Sequence, residues 1–259
     1  MSQSTSTPRA VGAPSTLDWA RAPREPRAAA GTIDVLRADL DGVADDMLEL
    51  LSPQERARAE RFAAERDRVL WTRARGLLRR LLGSYLGQEP GALRFGAGPH
   101  GKPALLGERT PPRAGHELPA GGSPPVCFNV SHSGHLALYA FSPIGEVGVD
   151  VELPRRPRNE LAIAARALGP QAARRLAQVD PAHRPHEFLR AWVRHEAAAK
   201  CTGVGIGAGS GPGATATERR DCDRDRGLWL AELDVGPPAA AAVAAENRPR
   251  ELRLWEWHG

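Results

Sequence analysis

Apolar residues in this chain recur at two spacings, and the change of spacing marks out its elements. Leu70, Leu77, Leu78, Leu81, Leu82 and Tyr85 recur at helical intervals, predicting a helix over 67–86 with Gly87 as its stop. Ser52-Pro53-Gln54-Glu55 is a capping box with proline at the first helical position, so a helix opens there and runs to about residue 64. Phe188, Leu189, Trp192 and Val193 form the buried stripe of a helix over 185–201, ended by Gly203. Two short alanine-rich helices are predicted over 160–168 and 170–179. Between them lie shorter apolar runs. Residues 126–130, 136–141 and 147–153 read as an antiparallel meander, its first two strands joined through Ser131-His132-Ser133-Gly134. Ile33-Asp34-Val35-Leu36 reads as an edge strand, and Leu93-Arg94-Phe95, Leu228-Trp229-Leu230 and 252–255 as further strands. The Ala239–Ala245 run suits either a strand or a helical turn. Helices with small sheets define an α+β class.

Composition adds boundaries. The 259 residues are 41% hydrophobic, enough for a sizeable core, while Gly 27 and Pro 23 imply long irregular stretches. These fall at 96–103, at 107–125 and in a mobile loop at 207–226. Residues 1–31 are rich in Ser, Thr, Pro, Ala and Arg and read as a disordered tail with no apolar signal core. No run of about 18 apolar residues predicts a membrane span. Cys127, Cys201 and Cys222 have no metal-like spacing and suit a reduced, cytoplasmic protein. The formal charge of +4 fits a phosphate-rich ligand or an acidic protein partner. Nucleic acid is not expected, because the basic stretches lack a recognition helix and interleaved aromatics.

The chemistry concentrates in two acidic segments. In Gly148-Val149-Asp150-Val151-Glu152-Leu153, strand alternation puts Asp150 and Glu152 on one face. In the segment from Trp192 to Lys200, Glu196 and Lys200 are four apart and share a helix face. Taken singly, each has an ordinary reading: a solvated sheet face and a surface ion pair. If helix and strand face each other, three carboxylates and one ammonium converge. An all-oxygen set of that kind suits Mg²⁺, with Mn²⁺ also accepted, bound together with substrate phosphates.

Phe128-Asn129-Val130-Ser131-His132-Ser133, the Gly148–Glu152 segment and Trp192…Glu196-Ala197…Lys200 resemble, in order and spacing, the three signatures of the 4′-phosphopantetheinyl transferases. Gly101-Lys102-Pro103 and Arg75-Gly76-Leu77-Leu78-Arg79 resemble the N-terminal half of that family's larger, pseudo-dimeric (Sfp-type) class. The resemblance implies two similar α+β halves, here 32–147 and 148–259, with the active site in the cleft between them. It implies coenzyme A as donor, a serine of an acyl or peptidyl carrier protein as acceptor, 3′,5′-ADP as the second product, and a monomer. That class serves polyketide and non-ribosomal peptide synthases, while the residues themselves leave fatty-acid, polyketide and peptide assembly open. It makes Asp150, Glu152 and Glu196 metal ligands. Glu196 completes the metal shell, acts as general base on the carrier serine, or does both. Lys200 stabilises or protonates the leaving 3′,5′-ADP. Arg75, Lys102, Ser131 and His132 meet coenzyme A phosphates, with Arg58 a weaker candidate; Trp192 belongs to the core. The family usually carries lysine where this chain has His195, which bears on coenzyme A binding and on its pH profile. That departure also keeps open an inactive module that only binds coenzyme A or a carrier protein.

Overall fold

The computed structural model describes residues 18–97, 102–106, 126–154, 159–203 and 227–258, and the elements below lie within them. In chain order they are β1 (Ala20–Arg21), β2 (Thr32–Asp39), α1 (Pro53–Ala59), α2 (Glu65–Leu86), β3 (Phe95–Ala97), β4 (Pro103–Leu105), β5 (Cys127–Ser133), β6 (Leu136–Ser142), β7 (Val147–Glu152), α3 (Glu160–Ala167), α4 (Pro170–Ala177), α5 (Arg184–Thr202), β8 (Trp229–Leu233), β9 (Ala240–Ala245) and β10 (Glu251–Glu256). The class is α+β.

Local sequence sets the helix ends. Ser52 accepts from the Glu55 amide while the Glu55 carboxylate accepts from the Ser52 amide, so the capping box opens α1. α1 stops at Ala59, earlier than its sequence pattern suggests. α2 ends where Gly87 takes the left-handed conformation, at φ 65°.

One sheet has the order β1-β10-β2-β6-β5 and another β7-β9-β8, while β3 and β4 form a hairpin. In the first sheet Ile33, Val35, Leu138 and Ala140 face one way, and Leu36, Ala38, Ala137, Tyr139 and Phe141 the other. The second set packs on α2 through Leu77, Leu78, Leu81 and Leu82. The first set packs on Val147, Val149, Val151 and Val243 of the second sheet. The far face of that sheet, Ala240, Ala242 and Ala244, meets α5 through Val193, Ala197, Ala198 and Cys201. The layers therefore run α2, five-stranded sheet, three-stranded sheet, α5. Burial on both faces is why these strands read as continuous apolar runs.

Several expectations change. β2 is not an edge strand, because β10 returns from the far end of the chain to pair beside it, in parallel. β10 therefore belongs to the first sheet, although the sequence division puts residues 148–259 in the second half. The tail does not extend to residue 31: Ala20–Arg21 pairs with Trp255 and Glu256, and Arg37 lies 4.8 Å over the Trp19 ring. Residues 1–17 lie outside the described residues, as do 107–125, 207–226, Gly101 and Cys222. Ser131, His132 and Ser133 are strand residues rather than turn residues; the turn is Gly134-His135, with Gly134 at φ 56°. The meander is broken at β7, which pairs with β9 instead. The edge of β7 facing β5 is satisfied by side chains, not by a backbone ladder. The alanine run resolves as β9, the central strand of its sheet.

Candidate active site

β7 positions the acidic pair. Its odd-numbered valines point into the inter-sheet core, so Gly148, Asp150 and Glu152 share the opposite face, toward α5. α5 approaches closely because residue 148 has no side chain. A Cβ there would lie 2.1 Å from the Ala197 carbonyl oxygen and 2.4 Å from the Cys201 amide nitrogen. That approach brings Glu196 and Lys200, one helical turn apart, onto the acidic strand.

Lys200 Nζ donates to Asp150 Oδ1 at 2.6 Å, to Ser131 Oγ at 3.0 Å and to the Val149 carbonyl at 3.3 Å. Ser131 Oγ donates in turn to Asp150 Oδ1 at 2.8 Å. Asp150 and Glu196 are each only 4% exposed. Asp150 Oδ2 and Glu196 Oε1 are buried and accept no hydrogen bond from any described residue. Burial pushes the Glu196 carboxyl up to about 7; the Asp150 charge adds to the rise, Lys200 opposes it, and Glu152 adds a smaller part.

Two buried carboxylate oxygens without donors call for a cation, and carboxylates suit a hard one such as Mg²⁺ or Mn²⁺. Among the described residues no three His, Cys, Asp or Glu side chains close round a single point. A Mg²⁺ bound here would draw further ligands from substrate phosphate oxygens. Asp150, Glu152 and Glu196 are the residues that could hold it.

The other candidates are placed differently. Lys102 Nζ donates to Glu146 Oε2 at 2.6 Å and to the Val147 carbonyl at 3.1 Å, so it sits at the start of the same β7 edge. His132 is exposed while Ser131 is buried, since neighbours on a strand face opposite ways. Arg75 belongs to a separate cluster. It bonds Glu55 Oε1 at 2.5 Å and stacks 3.8 Å over Phe95, while Arg79 holds the other Glu55 oxygen at 2.7 Å. Arg58 lies 5.5 Å over Trp71. His195 is half-buried beside Glu196 on α5, and Trp192 packs against Phe188. The structure therefore joins Ser131, Asp150, Glu196 and Lys200 closely, adds Lys102 along the strand edge, and leaves Arg75 on α2. Sequence reasoning missed Gly148 as a spacer and Glu146 as the partner of Lys102; both depend on contacts distant in the chain.

The chain matches the model of the 4′-phosphopantetheinyl transferase superfamily over residues 146–234, and that of the 4′-phosphopantetheinyl transferase N-terminal domain over 43–144. It is 35% identical to a Nostoc sp. protein named 4′-phosphopantetheinyl transferase HetI, over 61% of this chain and 62% of that protein. A Synechocystis sp. protein assigned to the same transferase class is 35% identical over 60% of this chain and 57% of its own length. The 4′-phosphopantetheinyl transferase AcpT of Escherichia coli K12 is 36% identical over 38% of this chain and 48% of that protein. The match thus spans about 60% of the length of the first two relatives. This chain belongs to the 4′-phosphopantetheinyl transferase superfamily.

Proposed function

We propose that this protein transfers 4′-phosphopantetheine from coenzyme A to a serine hydroxyl of an acyl or peptidyl carrier protein, releasing 3′,5′-ADP with Mg²⁺ as cofactor. The observation that carries the reading is the buried Asp150–Glu196 pair, with Lys200 on one Asp150 oxygen and two carboxylate oxygens lacking donors. Asp150, Glu152 and Glu196 would hold the metal, which when bound offsets negative charge on the pyrophosphate.

The residues then divide the work. The carrier serine oxygen attacks the β-phosphorus, and the bond from that phosphorus to the bridging oxygen of the departing 3′,5′-ADP breaks. The serine proton passes to Glu196, a buried carboxylate with one oxygen that accepts no hydrogen bond from any described residue. Lys200, held by Asp150 and Ser131, stabilises or protonates the leaving phosphate. Ser131 keeps Lys200 and Asp150 in register. Lys102, His132 and Arg75 bind coenzyme A phosphates, Lys102 by exchanging Glu146 for phosphate. The α2-backed and α5-backed sheets are read as the two halves of a pseudo-dimer, with the active site where β5 meets β7. The protein acts as a cytoplasmic monomer, without nucleic acid or membrane; no helix among the described residues is long and apolar enough to cross a membrane.

The test is intact-mass spectrometry of an apo carrier protein incubated with the enzyme, coenzyme A and Mg²⁺, with an EDTA control. A metal-dependent gain on the order of 340 Da, one phosphopantetheine, is expected. His195, in place of the usual lysine, supports one other reading: a module that binds coenzyme A without turning it over. Coenzyme A binding with no mass gain on several carriers would select that reading.

A further inference from the structure

Among the described residues no strand pairs with β7 on the edge facing β5, yet that edge is satisfied. The Val149 amide donates to Asn129 Oδ1 at 2.9 Å, the Val151 amide to Ser131 Oγ at 3.4 Å, and the Leu153 amide to Ser133 Oγ at 3.1 Å. Each β5 side chain takes the amide twenty residues further on. The hydroxyls act a second time: Ser131 donates to Asp150 Oδ1 at 2.8 Å, and Ser133 donates to Glu152 Oε2 at 2.9 Å. A hydroxyl has one proton and two lone pairs, so it can donate to a carboxylate and accept from an amide at once. Ser131 and Ser133 are 7% and 2% exposed, which keeps water from competing for these bonds.

This repeat does what a backbone ladder cannot. A ladder would close the edge but leave the carboxylates free to rotate. Here each serine ties an amide and the neighbouring carboxylate to one oxygen, fixing the strand and the carboxylate direction together.

We propose that Ser133 is a positioning residue that aims Glu152 into the metal site, as Ser131 aims Asp150, and that the alternating Asn129, Ser131 and Ser133 set the register between β5 and β7. The inference rests on the metal-dependent reading above and concerns a residue to which that reading gave no role. Partners that orient metal ligands from behind are typically worth about 10–100-fold in metal affinity.

The experiment is Mn²⁺ binding by the coenzyme A-free protein, followed by the electron paramagnetic resonance of free Mn²⁺. Wild type, Ser133→Ala, Glu152→Gln and the double variant are compared. Ser133→Ala should weaken Mn²⁺ binding about tenfold. In the Glu152→Gln background the same change should add little, because Ser133 acts through Glu152. If Ser133→Ala does not fold, Ser133→Thr and Ser133→Val replace it; they share the added methyl and differ only in the hydroxyl, and only Val should weaken binding. Full losses from both sites adding in the double variant, or unchanged affinity in the hydroxyl-free protein, overturns the inference while leaving the metal reading intact. A wild-type protein that binds no Mn²⁺ either alone or with saturating coenzyme A, beyond what coenzyme A binds by itself, overturns the metal reading and this inference with it.

Discussion

Glu196 and Asp150 place two carboxylates out of water, with one ammonium bonded to Asp150. Replacing Glu196 with Gln removes a desolvated acid without changing its shape. Glu196→Gln should keep the fold and lower the transfer rate by about 10²–10⁴-fold, as single-turnover mass spectrometry would register. Retention of full transfer by a folded Glu196→Gln protein would overturn its assigned role. The same group makes stability depend on pH. Its folded pKa is raised to about 7 from the ordinary 4.5, so the folded state holds its proton over a range where the unfolded chain has lost it. Metal-free protein therefore has this contribution in full below about pH 4.5 and loses it as pH rises through about 7. Thermal unfolding in EDTA should show a fall over that window in wild type that Glu196→Gln lacks. Lys200→Met leaves the buried Asp150 carboxylate with no ammonium. It should cost about 2 kcal/mol in urea unfolding, and added Mn²⁺ should restore more of the loss than it adds to wild type.

The strand–helix contact sets the distances these side chains need. Alanine on β9 and glycine in β7 let the α5 backbone lie almost against the sheet. Gly148→Ala would put a methyl 2.1 Å from a backbone oxygen that has no rotamer to escape through. Helix and strand must part, costing roughly 1–3 kcal/mol. Under the proposed mechanism, displacing Glu196 and Lys200 should lower kcat by about 10²-fold. Calorimetry and steady-state kinetics on Gly148→Ala check the two effects, and an unchanged kcat would mean that the spacing is not critical. Much of this contact was legible beforehand. Strand alternation put Asp150 and Glu152 on one face, and helical spacing put Glu196 and Lys200 on another. The spacer role of Gly148 was not legible, because it exists only against a helix fifty residues away.

The whole molecule is tied together by its last strand. Asp34, 2% exposed on β2, is held by two Arg253 nitrogens at 2.6 and 2.8 Å, by Tyr85 at 2.7 Å and by the Trp255 indole at 3.1 Å. Arg253→Ala leaves a buried carboxylate without its cation, a loss of roughly 3 kcal/mol. Chemical denaturation measures it, and the unfolding should involve both sheets because β10 bridges their order in the chain. The +4 charge belongs to this scale too. If the acceptor is an acidic carrier protein, its association rate constant should fall between low and physiological salt in stopped-flow measurements. A flat profile would mean that long-range attraction has no part in docking.

What the sequence settles here is local. The capping box at Ser52, the glycine that ends α2, the period-two acids of β7 and the i,i+4 pair of α5 are set by interactions within a turn or two, where propensity and periodicity act. What only the tertiary structure decides is which distant segments meet. Whether the alanine run is helix or strand depends on β7 and β8 flanking it, since alanine favours a helix locally. The place of β10 beside β2 joins residues more than two hundred apart. The seat of Lys200 on Asp150 and Ser131 depends on side chains of β5, and not a backbone ladder, meeting β7 along that edge. No local pattern records a partner so far along the chain, because the burial and hydrogen bonds that fix it form only once the sheets have assembled.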